Sequence, residues 1–159
     1  METLDDLVLE SARLSVRLRN KIKEVARDPQ ARQYTYVLLL QNGNFYVGST
    51  GNIYIRMVDH FFDTERSSLW VREHGPPIRI VEICRNSSPD DEERKTLEYM
   101  DMFGWEKVRG SHWCKVEPRC QPVKSREFVR GSSTGQEYVP RQEINEIMKV
   151  AVELWSSMM

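Results

Sequence analysis

The chain has 159 residues, of which 40% are apolar and 30% charged, so it can bury one core and is too short for two ordinary domains. No apolar run is long enough to cross a bilayer and no basic-then-apolar leader follows Met1, so we expect a soluble protein with no membrane partner. Its three irregularly spaced cysteines do not suit a disulfide-stapled secreted domain and favour a reducing compartment, the cytoplasm or the nucleus.

The formal net charge of −1 gives no support by itself to a nucleic-acid partner, because phosphate binding depends on lysine and arginine. The distribution of charge is more informative. Residues 13–27 contain six basic residues and one acid, and residues 107–130 contain seven basic residues and two acids. Such segments are either ordinary solvated surfaces or phosphate contacts, and composition alone does not separate the two interpretations.

Residues 1–33 are predicted to form an N-terminal amphipathic helix. Thr3 and Asp6 have the spacing of a capping box, one stripe of aliphatic residues follows, and Pro29 ends the pattern. We expect this stripe to pack on the domain that follows it.

The next segment, residues 34–50, predicts a β-hairpin, because Asn42-Gly43 separates two runs of β-branched and aromatic residues. A two-residue turn at Asn42-Gly43 would leave Tyr36 and Tyr46 on opposite faces of the sheet. A three-residue turn over 42–44, or a bulge, would place both on one face.

The remaining pattern predicts a helix over 52–62, a short helix or loop before Pro76-Pro77, a third strand over 78–84, and a long helix from about Ser88 to Gly104. This order indicates an α/β (α+β) fold with a small, mostly antiparallel, three-stranded sheet covered by helices. We assign residues 34–125 to this domain.

Residues 126–140 read as a loop or linker, and residues 141–159 as a C-terminal amphipathic helix. An exposed apolar stripe of that length would be adhesive. The helix therefore either docks on its own domain, which we favour, or pairs with a second copy to form a homodimer.

Several side chains in the middle of the chain suit hydrolysis of a phosphodiester, which needs a positioned water, a proton acceptor, and positive charge for the developing anion. Arg56 and His60 are four residues apart on a predicted helix and project from one face. Tyr36 and Tyr46 lie on the hairpin, and the pair Glu92/Glu93 begins the next long helix.

Here the sequence resembles the GIY-YIG nuclease superfamily, in particular its viral and stand-alone branch. Tyr34-Thr35-Tyr36 matches the first motif, Tyr46-Val47-Gly48 the second, and Arg56 to His60 the Arg-x-x-x-His helix. The stretch EERKTLEYMDMFGWEKVRGSHW resembles the acid-bearing helix and the loop after it. The resemblance covers about residues 34–118, and it rests on the order and spacing of these motifs together.

The resemblance implies a metal-dependent DNA endonuclease with a role for each residue. Tyr36 would take a proton from the attacking water, assisted by His60, and Tyr46 would orient the nucleophile or contact the scissile phosphate. Arg56 would stabilise the charge of the transition state, which its planar guanidinium suits better than a lysine could.

One carboxylate would hold a single Mg²⁺ or Mn²⁺, and Glu92 is the first choice and Glu93 the second. Sequence-independent phosphate contacts, on DNA that can be branched or structured, would come from the basic segment 13–27 and from the basic residues Lys107, Arg109, Lys115 and Arg119. Two alternatives remain open: an RNA nuclease, and a catalytically inactive nucleic-acid-binding or scaffold protein with the same fold.

Overall fold

The computed structural model describes residues 33–111 and 136–158. The strands are β1 (Tyr34–Leu39), β2 (Phe45–Thr50), β3 (Arg79–Arg85), β4 (Val108–Gly110) and β5 (Glu137–Tyr138). The helices are α1 (Ile53–Phe61), α2 (Leu69–His74), α3 (Pro89–Phe103) and α4 (Arg141–Met158), with 3-10 turns at Gln41–Gly43, Thr64–Arg66 and Trp105–Lys107. The predicted N-terminal helix and residues 112–125 of the predicted domain lie outside the described residues. None of the helices in the described ranges has the length and apolar character needed to cross a membrane.

The five strands form one sheet in the order β4-β2-β1-β3-β5. Only β4 is parallel to its neighbour, so the mixed α/β class and the mostly antiparallel sheet are confirmed. The predicted count of three strands is wrong, because β4 and β5 extend the sheet at both edges. With three and two residues they are too short to show a period-two pattern, and only pairing with distant strands defines them.

The connection between β1 and β2 differs from both predicted turns. The last pair of the hairpin is Leu39 with Phe45, which leaves five residues, 40–44, in the connection. Asn42 and Gly43 have φ angles of 59° and 73°, so the Asn-Gly dipeptide supplies the left-handed backbone that reverses the chain.

This register decides which side chains share a face. Tyr36 pairs with Gly48, and Leu38 pairs with Tyr46, so both tyrosines point to the same side of the sheet. A connection with an odd number of residues places Tyr36 and Tyr46 on one face of the sheet. The observed five-residue connection therefore has the same effect on the two tyrosines as the predicted three-residue turn.

Local capping sets the limits of the two helices that flank the site. The Asn52 side chain accepts a hydrogen bond from the Ile55 amide at 3.3 Å and begins α1. At the start of α3 the Asp91 carboxylate accepts hydrogen bonds from the Ser88 amide at 2.6 Å and from the Ser88 hydroxyl at 3.2 Å. Gly104, with φ of 97°, follows the last residue of α3. The helices predicted over 52–62 and from Ser88 to Gly104 are thereby confirmed.

Helices cover both faces of the sheet. On one face, Tyr36, Leu38 and Ile83 pack with Ile53 and Met57 of α1 and with the apolar side of α4. The other face packs against α3 in a second cluster, which consists of Val37, Phe45, Val47, Leu97, Tyr99, Met100 and Val108. The candidate residues on β1, β2 and α1 therefore belong to the first face.

Helix α4 packs on its own domain, as expected for the first of the two arrangements predicted for residues 141–159. Ile144, Ile147, Ala151 and Leu154 are buried in the first cluster, where α4 contacts α1 and β3. At its start, Arg141 donates a hydrogen bond to the Ile80 carbonyl at 2.7 Å. The apolar stripe that would pair with a second copy is thus covered within one chain, and the end of the predicted linker forms β5.

Candidate active site

A buried hydrogen bond between Tyr36 and His60 lies at the centre of the site. Tyr36 is in the middle of β1, and His60 is near the end of α1, on the side of the helix that faces the sheet. The phenol oxygen of Tyr36 is 2.6 Å from Nε2 of His60, and the two side chains are 1% and 0% exposed. A contact this short, and this protected from water, fixes the relative position of both rings.

Tyr46 completes an aromatic triad with these two residues. Its ring centroid is 6.3 Å from that of Tyr36 and 5.3 Å from that of His60. Gly48 makes room for the arrangement, since a Cβ at this position would lie 2.4 Å from the Tyr36 hydroxyl and 2.9 Å from the Tyr46 ring. The glycine of the Tyr46-Val47-Gly48 motif therefore has a direct steric role.

Arg56 approaches the phenol of Tyr36 from one turn before His60. Its Nη1 donates to the Arg66 carbonyl at 2.8 Å and to Asp59 at 3.3 Å, which directs the long side chain along α1. Its positive charge acts on the Tyr36 phenol and lowers the pKa of that phenol, against the effect of burial. Because the Arg56 side chain is 26% exposed, it links the buried pair to the surface, where a phosphate can reach it.

The electrostatics keep both central groups neutral. Burial raises the pKa of the Tyr36 phenol well above its ordinary value, with a further contribution from Tyr46, and Arg56 only partly opposes this. Burial, followed by the positive charge of Arg56, lowers the pKa of His60 to about 3. At neutral pH the site therefore contains a phenol and an uncharged imidazole.

This low pKa of His60 predicts how the free energy of unfolding depends on pH. In the unfolded chain a histidine has a pKa of about 6.5, so between that pH and about 3 the unfolded state binds an extra proton. The stability from neutral His60 is therefore present above the unfolded pKa and declines as the pH falls, by at most about 1.4 kcal/mol per pH unit. Urea unfolding at neutral and acidic pH measures this slope.

His60→Gln should reduce that acid sensitivity, because glutamine does not titrate. His74→Gln is the matched control, since His74 lies at the end of α2 and outside the Tyr36–His60 contact. Equal acid sensitivity in wild type and His60→Gln would contradict the assignment of a buried neutral imidazole.

Glu92 lies on α3, at the point where this helix meets the end of β2 and the residue that follows β4. Its carboxylate accepts hydrogen bonds from the Ser49 hydroxyl at 2.7 Å and from the Ser111 amide at 3.1 Å. It also belongs to the electrostatic environment of the Tyr36 phenol, where its negative charge raises the phenol's pKa. Glu93 makes neither of these hydrogen bonds, so the geometry favours Glu92 as the acid associated with the site.

The resemblance implies one divalent cation, which the side chains of this site would have to bind. In the described part of the chain, no three or more His, Cys, Asp or Glu side chains cluster in a way that could hold a metal. A lone carboxylate such as Glu92 fits Mg²⁺, which commonly retains several waters and takes further oxygens from substrate phosphate. It does not fit a cation enclosed entirely by protein ligands.

Sequence reasoning missed the serines of the site. Ser49 and Ser111 hold the Glu92 carboxylate, and Ser67 contacts Nδ1 of His60 at 2.7 Å. Ser49 directly follows the Tyr46-Val47-Gly48 motif, which is a usable signal. Ser67 and Ser111 are far from their partners in the chain, and no local pattern identifies them.

Arg109 does not lie where the sequence analysis placed a phosphate contact. Its side chain is 2% exposed, its guanidinium carbon is 4.4 Å from the centre of the Trp70 ring, and it donates to the Trp105 carbonyl at 2.6 Å. The Arg109 guanidinium packs on Trp70 and connects the edge of the sheet to α2. It is therefore not available at the surface as a phosphate ligand, and the prediction for Arg109 is wrong.

Of the other predicted phosphate contacts, Lys107 is exposed, and its Nζ lies 3.4 Å from the Asn42 carbonyl at the hairpin tip. Lys115 and Arg119 lie outside the described residues.

Comparisons of this chain with family models, curated proteins and solved structures find no match. The candidate function therefore depends on the geometry of the residues and on the motif resemblance alone.

Proposed function

We propose that this protein is a metal-dependent endonuclease of the GIY-YIG type that hydrolyses DNA phosphodiester bonds. The observation that carries the proposal is the convergence of Tyr36, Tyr46, Arg56 and His60 on one face of the sheet, with the phenol of Tyr36 hydrogen-bonded to the imidazole of His60. These residues come from three separate elements, and each has the chemistry that the motif assigns to it.

In this proposal Tyr36 accepts the proton of the attacking water through its phenol oxygen. A neutral phenol can do this only while it releases its own proton, and Nε2 of His60, at 2.6 Å, is positioned to receive it. The pKa of about 3 keeps the ring unprotonated, with its Nε2 lone pair available, in the protein without DNA. The negative charge of a bound phosphate beside Arg56 would raise that pKa and make the proton transfer more favourable. Water loses one proton, the phenol remains neutral, and the imidazole gains the proton.

Arg56 stabilises the phosphate while charge develops on it. The guanidinium is permanently charged and partly exposed, and its planar fork can offer two parallel donors to phosphate oxygens. Tyr46, beside the same pair, contacts the phosphate or orients the water. If a divalent cation binds, Glu92 would hold it, and the cation would supply additional positive charge at the phosphate.

A nicking assay tests the proposal. Supercoiled plasmid, branched DNA, single-stranded DNA and single-stranded RNA are incubated with the full chain in Mg²⁺, in Mn²⁺, and with a chelator. We expect cation-dependent cleavage of one or more DNA substrates. Cleavage of RNA alone would replace DNA by RNA as the substrate, and no cleavage of any substrate would favour a binding or scaffold protein.

Arg56→Ala is expected to reduce the rate of nicking by about 10²- to 10³-fold, the usual effect of losing one preorganised donor at a developing anion. Arg56→Lys should recover only part of this rate, because it restores the charge and not the fork. The measurement is the initial rate of plasmid relaxation at saturating DNA.

Arg72→Ala is the matched control, since Arg72 is an exposed arginine on α2. It should retain nearly the full rate. If Arg56→Ala and Arg72→Ala were equally active, Arg56 would have no specific role at the phosphate.

A further inference from the structure

The proposed reaction leaves one member of the buried hydrogen-bonded chain without a role. Ser67 lies between the 3-10 turn Thr64–Arg66 and α2, and it is 9% exposed. Its Oγ is 2.7 Å from Nδ1 of His60, the ring nitrogen on the opposite side from Tyr36. The imidazole is therefore held at both nitrogens, by a phenol on one side and a hydroxyl on the other.

Donor and acceptor accounting determines where the protons lie. Among the described residues, the hydrogen-bond partner of the Tyr36 oxygen is Nε2 of His60, and the nearby charge is the Arg56 guanidinium. If Nε2 carried the ring hydrogen, the phenol's own hydrogen would be buried without an acceptor among the described residues, because a guanidinium only donates. The phenol therefore donates to Nε2 of His60. A neutral imidazole carries one hydrogen, which is then on Nδ1 and is donated to the Ser67 hydroxyl oxygen.

We propose that Ser67 is a positioning residue that holds His60 as its Nδ1–H tautomer, with the Nε2 lone pair directed at the Tyr36 phenol. This inference rests on the proposed function, since it explains how His60 is kept ready to receive the proton that Tyr36 releases. Without the Ser67 acceptor, the ring can rotate or take the Nε2–H form, in which Nε2 cannot accept a proton. The hydrogen bond at one ring nitrogen of a histidine commonly determines which tautomer the ring adopts.

The tautomer can be measured without substrate. In ¹⁵N NMR spectra of the labelled full chain, with the His60 signals assigned by their loss in His60→Gln, we expect a protonated Nδ1 and an unprotonated Nε2. In Ser67→Ala the same signals should move toward a mixture of tautomers. A wild-type ring that carries its hydrogen on Nε2 would overturn the inference whatever the activity is.

The kinetic test separates positioning from folding. Ser67→Ala should lower kcat about 10-fold, the typical effect of one hydrogen bond in a low-dielectric site, with KM unchanged because Ser67 is positioned to contact His60 and not the DNA. Ser67→Thr keeps a hydroxyl and should recover most of kcat and the wild-type His60 signals.

The neighbouring Ser68 supplies a control with the same chemical change. Its hydroxyl accepts from the Val71 amide at 3.3 Å and caps α2, so Ser68→Ala should lower thermal stability while keeping kcat and the tautomer. If Ser67→Ala and Ser68→Ala lowered kcat equally, Ser67 would have only a structural role and the inference would fail.

The two proposals fail in different ways. A wild-type protein that cleaves no nucleic acid rules out the proposed function, and the catalytic role of Ser67 with it. A wild-type protein that cleaves DNA, together with a Ser67→Ala variant of unchanged kcat, rules out the role of Ser67 alone.

Discussion

Replacing Tyr36 with phenylalanine is expected to lower the rate of DNA nicking by about 10²- to 10⁴-fold, the range that a positioned general acid or base contributes. The phenol oxygen is the only part removed, so the ring still fills its place between Tyr46 and His60. Nε2 of His60 loses its partner in a buried environment, which should cost about 1–3 kcal/mol of folding free energy. The expected signature is a large loss of rate with a modest loss of stability.

Tyr99→Phe is the matched control for this change. Tyr99 is also a buried tyrosine, but it lies on α3 in the cluster on the opposite face of the sheet. Plasmid relaxation measures the rate, and urea unfolding measures the stability of both variants. Retention of wild-type nicking by Tyr36→Phe would show that the phenol oxygen takes no proton, and it would exclude the proposed mechanism.

Glu92→Gln is expected to abolish most of the nicking activity, with a loss on the order of 10²-fold or more, because the carboxylate that would hold the cation beside the phosphate is lost. Glutamine has nearly the shape of glutamate, and its amide oxygen can accept from the Ser111 amide while its NH₂ group donates to the Ser49 oxygen. The variant should therefore fold and lose only its charge. Nicking rates over a range of Mn²⁺ concentrations would show whether added cation compensates.

Glu93→Gln distinguishes the two acids that the sequence left open. Glu93 is the next residue on α3 and lacks the hydrogen bonds that tie Glu92 to β2 and to the end of β4. It should keep close to the wild-type rate. If Glu93→Gln lost activity while Glu92→Gln kept it, the function would stand and the choice of acid would be wrong.

Local sequence was sufficient for most of the elements. Asn42-Gly43, the capping residues Asn52 and Ser88, and Gly104 act on backbone groups a few residues away, so their effects are readable without tertiary contacts. The hairpin, α1 and α3 were predicted for this reason. The candidate residues Tyr36 and His60 were also found, because a motif fixes their residue type and spacing.

Apart from the length of the hairpin connection, the errors concern interactions between distant parts of the chain. Strands β4 and β5 exist only because they pair with β2 and β3, and Arg109 is buried because Trp70 lies beside it. The same limit hid Ser67, whose contact with His60 depends on the path of the chain after α1.

The sequence by itself determined the residue types of the candidate site and the helices and strands that carry them, because periodicity, capping and turn chemistry act over short distances. The tertiary structure alone decided that Tyr36 and Tyr46 share a face and that Glu92, not Glu93, is held by two serines. It also decided that His60 is buried and neutral, since strand register, helix packing and desolvation depend on residues far apart in the chain.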